Sequence, residues 1–88
     1  MYDLFVSAIF KKRVRKFLKK HPEFRQPIKD TLDLLAQNPF SSHLKTHKLS
    51  GSHRGQWAVS LSYEYRILFM FEGRTIHLTN VGSHDEVY

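Results

Sequence analysis

Apolar and polar positions along this chain follow first a helical and then a strand-like period. Tyr2 to Val6 is mostly apolar and stops at Ser7, whose hydroxyl suits a helix N-cap, so a short buried strand is expected to run straight into a helix. From Ala8 to Lys20, Phe10, Val14, Phe17 and Leu18 recur at the i, i+4, i+7, i+8 spacing of one helix face. His21-Pro22 closes that helix, because proline disfavours helical geometry in the residue before it. Phe24, Ile28, Leu32 and Leu35 then mark a second amphipathic helix, which ends at Asn38-Pro39. Two such helices form a hairpin that must bury its apolar faces on something else.

The second half supplies the partner. Gln56 to Ser62 alternates, with Trp57, Val59 and Leu61 on one face and Ala58, Ser60 and Ser62 on the other, the pattern of a half-buried strand. Tyr65 to Phe71 is a strongly apolar strand, Glu72-Gly73 a hairpin turn and Thr75 to Val81 the returning strand. Pro39 to Gly55 between the halves is rich in Ser, His, Lys and Gly, and a loop of that length in a small domain is commonly functional. The expected order is β-α-α-β-β-β, an α+β fold with a helical hairpin packed on a small, mostly antiparallel sheet, and one domain over residues 1–88.

Composition narrows the chemistry. The chain has 88 residues, 41% of them hydrophobic, which is enough for one core. It has no cysteine, which rules out disulfides, thiol nucleophiles and cysteine zinc sites. No segment reaches the roughly 18 apolar residues of a membrane span, and the N-terminus lacks the order of a signal peptide, so a cytoplasmic protein without a membrane partner is expected. The formal charge is +6, and seven of the ten residues from Lys11 to Lys20 are Lys or Arg, which points to a polyanion or an acidic protein as partner. His43, His53 and His77 show no metal-ligand spacing, and no metal or other cofactor is expected.

Three segments carry a family resemblance: His47-Lys48-Leu49-Ser50-Gly51, Tyr65-Arg66-Ile67-Leu68-Phe69 and Val81-Gly82-Ser83-His84-Asp85-Glu86-Val87-Tyr88. A Lys-Leu-x-Gly loop, a Tyr-Arg strand and a Gly-x-His ending with an aromatic four residues later resemble the RelE superfamily of ribonuclease toxins, and the ending resembles its YafQ branch. The resemblance implies the toxin of a type II toxin–antitoxin pair, a messenger-RNA endoribonuclease acting in the ribosomal A site, with an antitoxin protein as partner. It places functional roles on His47, Glu64, His84 and Tyr88, and on Arg66 from the RelE branch. Ser60, Glu64 and Asn80 stand where YafQ-like toxins carry histidine, aspartate and arginine.

Cleavage by the ribose 2′-OH needs a base near that hydroxyl, an acid near the 5′-oxygen and positive charge over the phosphate. Histidine is a usable acid at neutral pH, and His84 fits that role. Glu64 and His47 are alternative bases; Arg66, interrupting an apolar strand, would meet the phosphate or pair with Glu64 or Glu72. Lys48 and Arg54 would add charge along the RNA backbone, and Tyr88 would stack on a base. The alternative function on this fold is a ParE-like inhibitor of DNA gyrase, which acts by binding and needs no acid or base.

Overall fold

The computed structural model describes residues 1–88. Ser7 acts as the expected cap, its Oγ accepting from the Phe10 amide at 3.1 Å, and the chain passes from β1 (Asp3–Val6) into α1 (Ala8–Lys20). A 3₁₀ turn at Pro22–Phe24 leads into α2 (Arg25–Gln37). After it come β2 (His47–Lys48), β3 (Trp57–Ser60), β4 (Tyr65–Glu72), β5 (Thr75–Ser83) and α3 (His84–Val87). The five strands form one sheet in the order β1-β5-β4-β3-β2. All neighbours are antiparallel except β1 and β5, whose parallel pairing requires a crossover that the helical hairpin provides. The α+β class and the hairpin-on-sheet architecture are as the sequence predicts.

The main core lies between the helices and one sheet face. Phe10 and Phe17 of α1 and Ile28 and Leu35 of α2 are buried against Val59, Ile67, Phe69, Ile76, Leu78 and Val81. A smaller cluster of Ala58, Leu68 and Val87, with Leu49 and Tyr88 against it, covers part of the opposite face. A bulge in β5 sets the phase between the two. Phe69 pairs with Leu78 and Leu68 with Asn80, which leaves Thr79 as the extra residue and lets both Leu78 and Val81 turn toward the helices. Arg13 of α1 donates to the Thr79 carbonyl at 2.6 Å, tying the helix to the bulge.

Several expectations need correction. β1 begins at Asp3 and is not buried: as an edge strand paired only with β5, it leaves Phe5 52% exposed, and Val6 is exposed as well. The Pro39–Gly55 loop contains two 3₁₀ turns and the short strand β2, and α3 closes the chain, so the order is β-α-α-β-β-β-β-α. β3 is shorter than expected, ending at Ser60, and its Ala58 face is covered by α3 instead of open to water. β4 runs on through Glu72, so the tight turn is Gly73-Arg74, with Gly73 at φ +59° as a primed hairpin turn requires.

Gly82, near the end of β5, faces α3 as it folds back on the sheet. A Cβ there would lie 3.1 Å from Val87 Cγ1 and 3.4 Å from Glu86 Cβ. Gly82→Ala is therefore expected to destabilise the protein by about 1–3 kcal/mol through overpacking. Thermal unfolding checks this, together with amide exchange at Val87 and Tyr88. An unchanged Tm with undiminished protection would contradict the tight seating of α3.

Candidate active site

The end of β5 delivers His84 to the surface. Ser83 caps α3 with a reciprocal pair of bonds: the Glu86 amide donates to Ser83 Oγ at 3.2 Å, and the Ser83 amide donates to Glu86 Oε1 at 3.0 Å. Val87 is buried on Ala58 and Leu68, while the His84 amide donates to the Glu64 carbonyl at 3.2 Å. Anchored below and to one side, the short helix leaves the His84 ring exposed. The Ser83 main chain and hydroxyl hold the Glu86 carboxyl below its ordinary value; burial opposes this, and the charges of Lys20 and His21 reinforce it.

Tyr88 gathers two of the three histidines of the long loop. Its hydroxyl lies 3.0 Å from His47 Nε2, its main-chain oxygen 2.8 Å from His53 Nε2, and its ring meets His84 edge-on at 4.2 Å between centroids. A carbonyl can only accept, so the 3.0 Å bond from His47 Nδ1 to the Lys45 carbonyl puts the proton of a neutral ring on Nδ1. His47 Nε2 then accepts from the Tyr88 hydroxyl. Burial pushes the Tyr88 phenol up, with Arg66 opposing, and like any phenol it is a donor at neutral pH.

Arg66 and Glu64 come together with His84. An open cleft of about 400 Å³ is lined by Tyr63, Glu64, Arg66, Ser83, His84 and Asp85. Arg66 Nη1 donates to the carbonyls of Ser62, Tyr63 and Tyr65 at 2.8, 3.0 and 3.1 Å. It pairs with neither Glu64 nor Glu72, since every ion pair in the protein involves a histidine. The guanidinium thus has its position fixed by carbonyls and its charge left uncompensated. Asp85 Oδ1 lies 3.6 Å from His84 Nδ1.

The structure therefore brings His47, Glu64, Arg66, His84 and Tyr88 to one end of the sheet. It does not bring Lys48 there. Strand alternation in β2 turns Lys48 away from His47, and its ammonium sits 5.9 Å from the Trp57 ring centre; Arg54 is exposed beyond the Gly51–His53 turn. His53 and Tyr63 are members of the region that the sequence reading missed, for neither lies in a motif or a periodic pattern. No three His, Asp or Glu side chains are grouped so as to hold a metal ion.

The family described as the YafQ bacterial toxin of type II toxin–antitoxin systems matches residues 2–88. No curated protein matches the sequence. Among solved structures, YafQ from E. coli strain BL21(DE3) superposes with a TM-score of 0.82 at 20% identity, over 100% of this chain and 99% of that one. The same toxin in the E. coli DinJ–YafQ complex gives 0.79 at 20% identity over 100% and 99%. A YoeB/ParE toxin from Agrobacterium tumefaciens gives 0.74 at 17% identity over 93% and 98%. At these identities the likeness is one of fold.

The capping pair makes the seat of His84 sensitive to acid. Because the Glu86 carboxyl is held below its ordinary value of 4.5, its contribution to stability is present above that value and is lost as pH falls through the lower, folded one. Titration of the Glu86 side chain by NMR is expected to show a midpoint below 4.5 that returns toward 4.5 in Ser83→Ala. The Ser83 amide, the larger of the two contributions, persists in that variant, so the return is partial, and a wild-type midpoint at or above 4.5 would contradict the capping pair.

Proposed function

The chain belongs to the YafQ family of toxins of type II toxin–antitoxin systems, and on that footing we propose that it is an endoribonuclease that cuts translated messenger RNA in the ribosomal A site. The observation that carries the reading is the meeting of Glu64, Arg66 and His84 in one cleft, beside the hydrogen-bonded pair His47 and Tyr88, from segments far apart in sequence. A ParE-like inhibitor that only binds gyrase has no use for such a convergence.

His47 is the base. Its free electron pair is on Nε2, where the Tyr88 hydroxyl now holds it and a ribose 2′-OH can take that place. The 2′-OH gives its proton to Nε2 as the 2′-oxygen bonds to phosphorus. The bond from phosphorus to the 5′-oxygen breaks, and protonated His84 supplies the proton to that oxygen. The products are a 2′,3′-cyclic phosphate on the upstream fragment and a 5′-hydroxyl downstream. Arg66 holds the charge that builds on the phosphoryl oxygens, a task suited to a guanidinium that is in ion-pair contact with no carboxylate. Glu64 lies beside His84 in the cleft, where its main-chain carbonyl accepts from the His84 amide, and Tyr88 positions His47.

Docking on the ribosome is electrostatic. None of the fourteen Lys and Arg side chains is paired with a carboxylate, and Lys12, Arg15, Lys16 and Lys19 surround a hollow on the outer side of α1 that suits an RNA backbone. No helix is long and apolar enough to cross a membrane, and a substrate on the ribosome would put the site of action in the cytoplasm. A free nuclease of this kind must be restrained, and the complex of E. coli YafQ with DinJ supports a cognate antitoxin here.

Primer extension on a defined messenger in a reconstituted bacterial translation system tests the reading. Wild-type protein is expected to cut only with ribosomes present, and His84→Ala to lose on the order of 10²–10⁴-fold in rate. Intact messenger, with gyrase supercoiling arrested instead, would replace this reading with the binding one.

A further inference from the structure

Tyr63 is the most exposed large aromatic residue in the protein. Its side chain is 95% open to water and takes part in no aromatic contact, although the residue lines the cleft that holds Glu64, Arg66 and His84. A ring so placed adds nothing to the core, and its exposure carries the full hydrophobic cost of a large apolar surface in water. Its backbone, by contrast, is firmly held. The Leu61 and Ser62 amides donate to the Tyr65 carbonyl at 3.0 and 3.2 Å, Ser62 Oγ accepts from the Tyr65 amide at 3.3 Å, and Arg66 Nη1 donates to the carbonyls of Ser62 and Tyr63. The turn is ordered, and the ring it presents has both faces free.

Tyr88 differs on each count. Its ring is partly buried against the Ala58 and Leu68 cluster, meets His84 edge-on, and has its hydroxyl engaged by His47. Of the three tyrosines at this end of the sheet, Tyr65 packs among Phe17, His21 and Phe24, and only Tyr63 offers an unobstructed face.

We propose that Tyr63 forms a nucleobase-binding subsite, on which the base next to the phosphate held by Arg66 stacks. This rests on the ribonuclease reading above and adds to it a substrate contact outside the acid–base set. The lining of the cleft identifies the ligand class. Apart from the Tyr63 ring every lining side chain is polar or charged, so a group with one flat face and an attached anion fits, whereas an apolar peptide side chain finds no second wall. A nucleotide has that form. Arg66 also links the two halves of the subsite: the guanidinium that would meet the phosphate is bonded to the Tyr63 carbonyl, so one side chain sets the spacing between phosphate and stacked base.

The test compares Tyr63→Ala, Tyr63→Phe and Tyr63→Trp with wild type in the ribosomal cleavage assay, and titrates Tyr63→Trp with a single-stranded oligoribonucleotide while following tryptophan fluorescence. Because the ring is exposed, all three variants are expected to keep the wild-type Tm. If wild type cuts, Tyr63→Ala should lower kcat/KM by about 5- to 150-fold, the loss of one base stack, while Phe and Trp retain activity. Equal cleavage by Tyr63→Ala, or an equal loss in Tyr63→Phe, would overturn the subsite. If wild type does not cut, the ribonuclease reading fails and the fluorescence decides separately. Quenching of the introduced tryptophan beyond that of Trp57 in wild type would support base stacking at this position, and its absence would overturn it.

Discussion

A strand that turns back onto the sheet it has just left needs room for the side chains it brings with it. In this protein that room is the missing methyl group at Gly82. β5 pairs with β1 on one side and β4 on the other, bulges at Thr79 to keep Val81 in the core, and passes Gly82 before the chain reverses at Ser83. Because Val87 can then descend onto Ala58 and Leu68, the sheet gains cover on its second face, and His84 stands beside the β3–β4 turn. The position of His84 is thus set by packing beneath it and by the Ser83–Glu86 cap at its root. Neither device touches the imidazole, which stays exposed.

The neighbouring groups divide into those held by neutral hydrogen bonds and those bearing charge. His47 and Tyr88 form a chain that begins at the Lys45 carbonyl and ends in the Tyr88 phenol. Arg66 bears its charge toward the cleft while three main-chain carbonyls fix its geometry. Carbonyl acceptors orient a guanidinium without cancelling it, whereas a carboxylate partner would do both. This separation of position from neutralisation suits a site whose ligand is an anion.

Much of this was legible in the sequence, for identifiable reasons. Thirteen-residue helices span enough turns for the recurrence of Phe10, Val14 and Phe17, and of Ile28 and Leu35, to show. A strand of four residues carries no such redundancy, so the apolar run at β1 reads the same whether it is central or at an edge, and Phe5 and Val6 were expected inside. β2 and α3 are too short for any period. The Ser83–Glu86 spacing is nonetheless a capping-box signature and could have announced α3. With α3 in place, the burial of Ala58 follows. The candidate residues His47, Glu64, Arg66, His84 and Tyr88 came from the motifs that contain them, while Lys48 was misplaced because its direction depends on the unrecognised β2. His53 and Tyr63 derive their positions entirely from how loops meet, which local pattern does not encode.

The exposed outer edge of β1 has a consequence of another kind. Its strand presents Phe5 and Val6 beside an unpaired backbone edge, with Ile9 exposed just beyond on α1, the arrangement through which sheets extend themselves from one molecule to the next. Nothing in the strand blunts that tendency except Asp3 at its start. What opposes it is the repulsion between whole molecules that each carry +6. The positive charge proposed to draw the protein to RNA also keeps its copies apart, so a partner that neutralises it must at the same time shield the edge if the pair is to remain in solution.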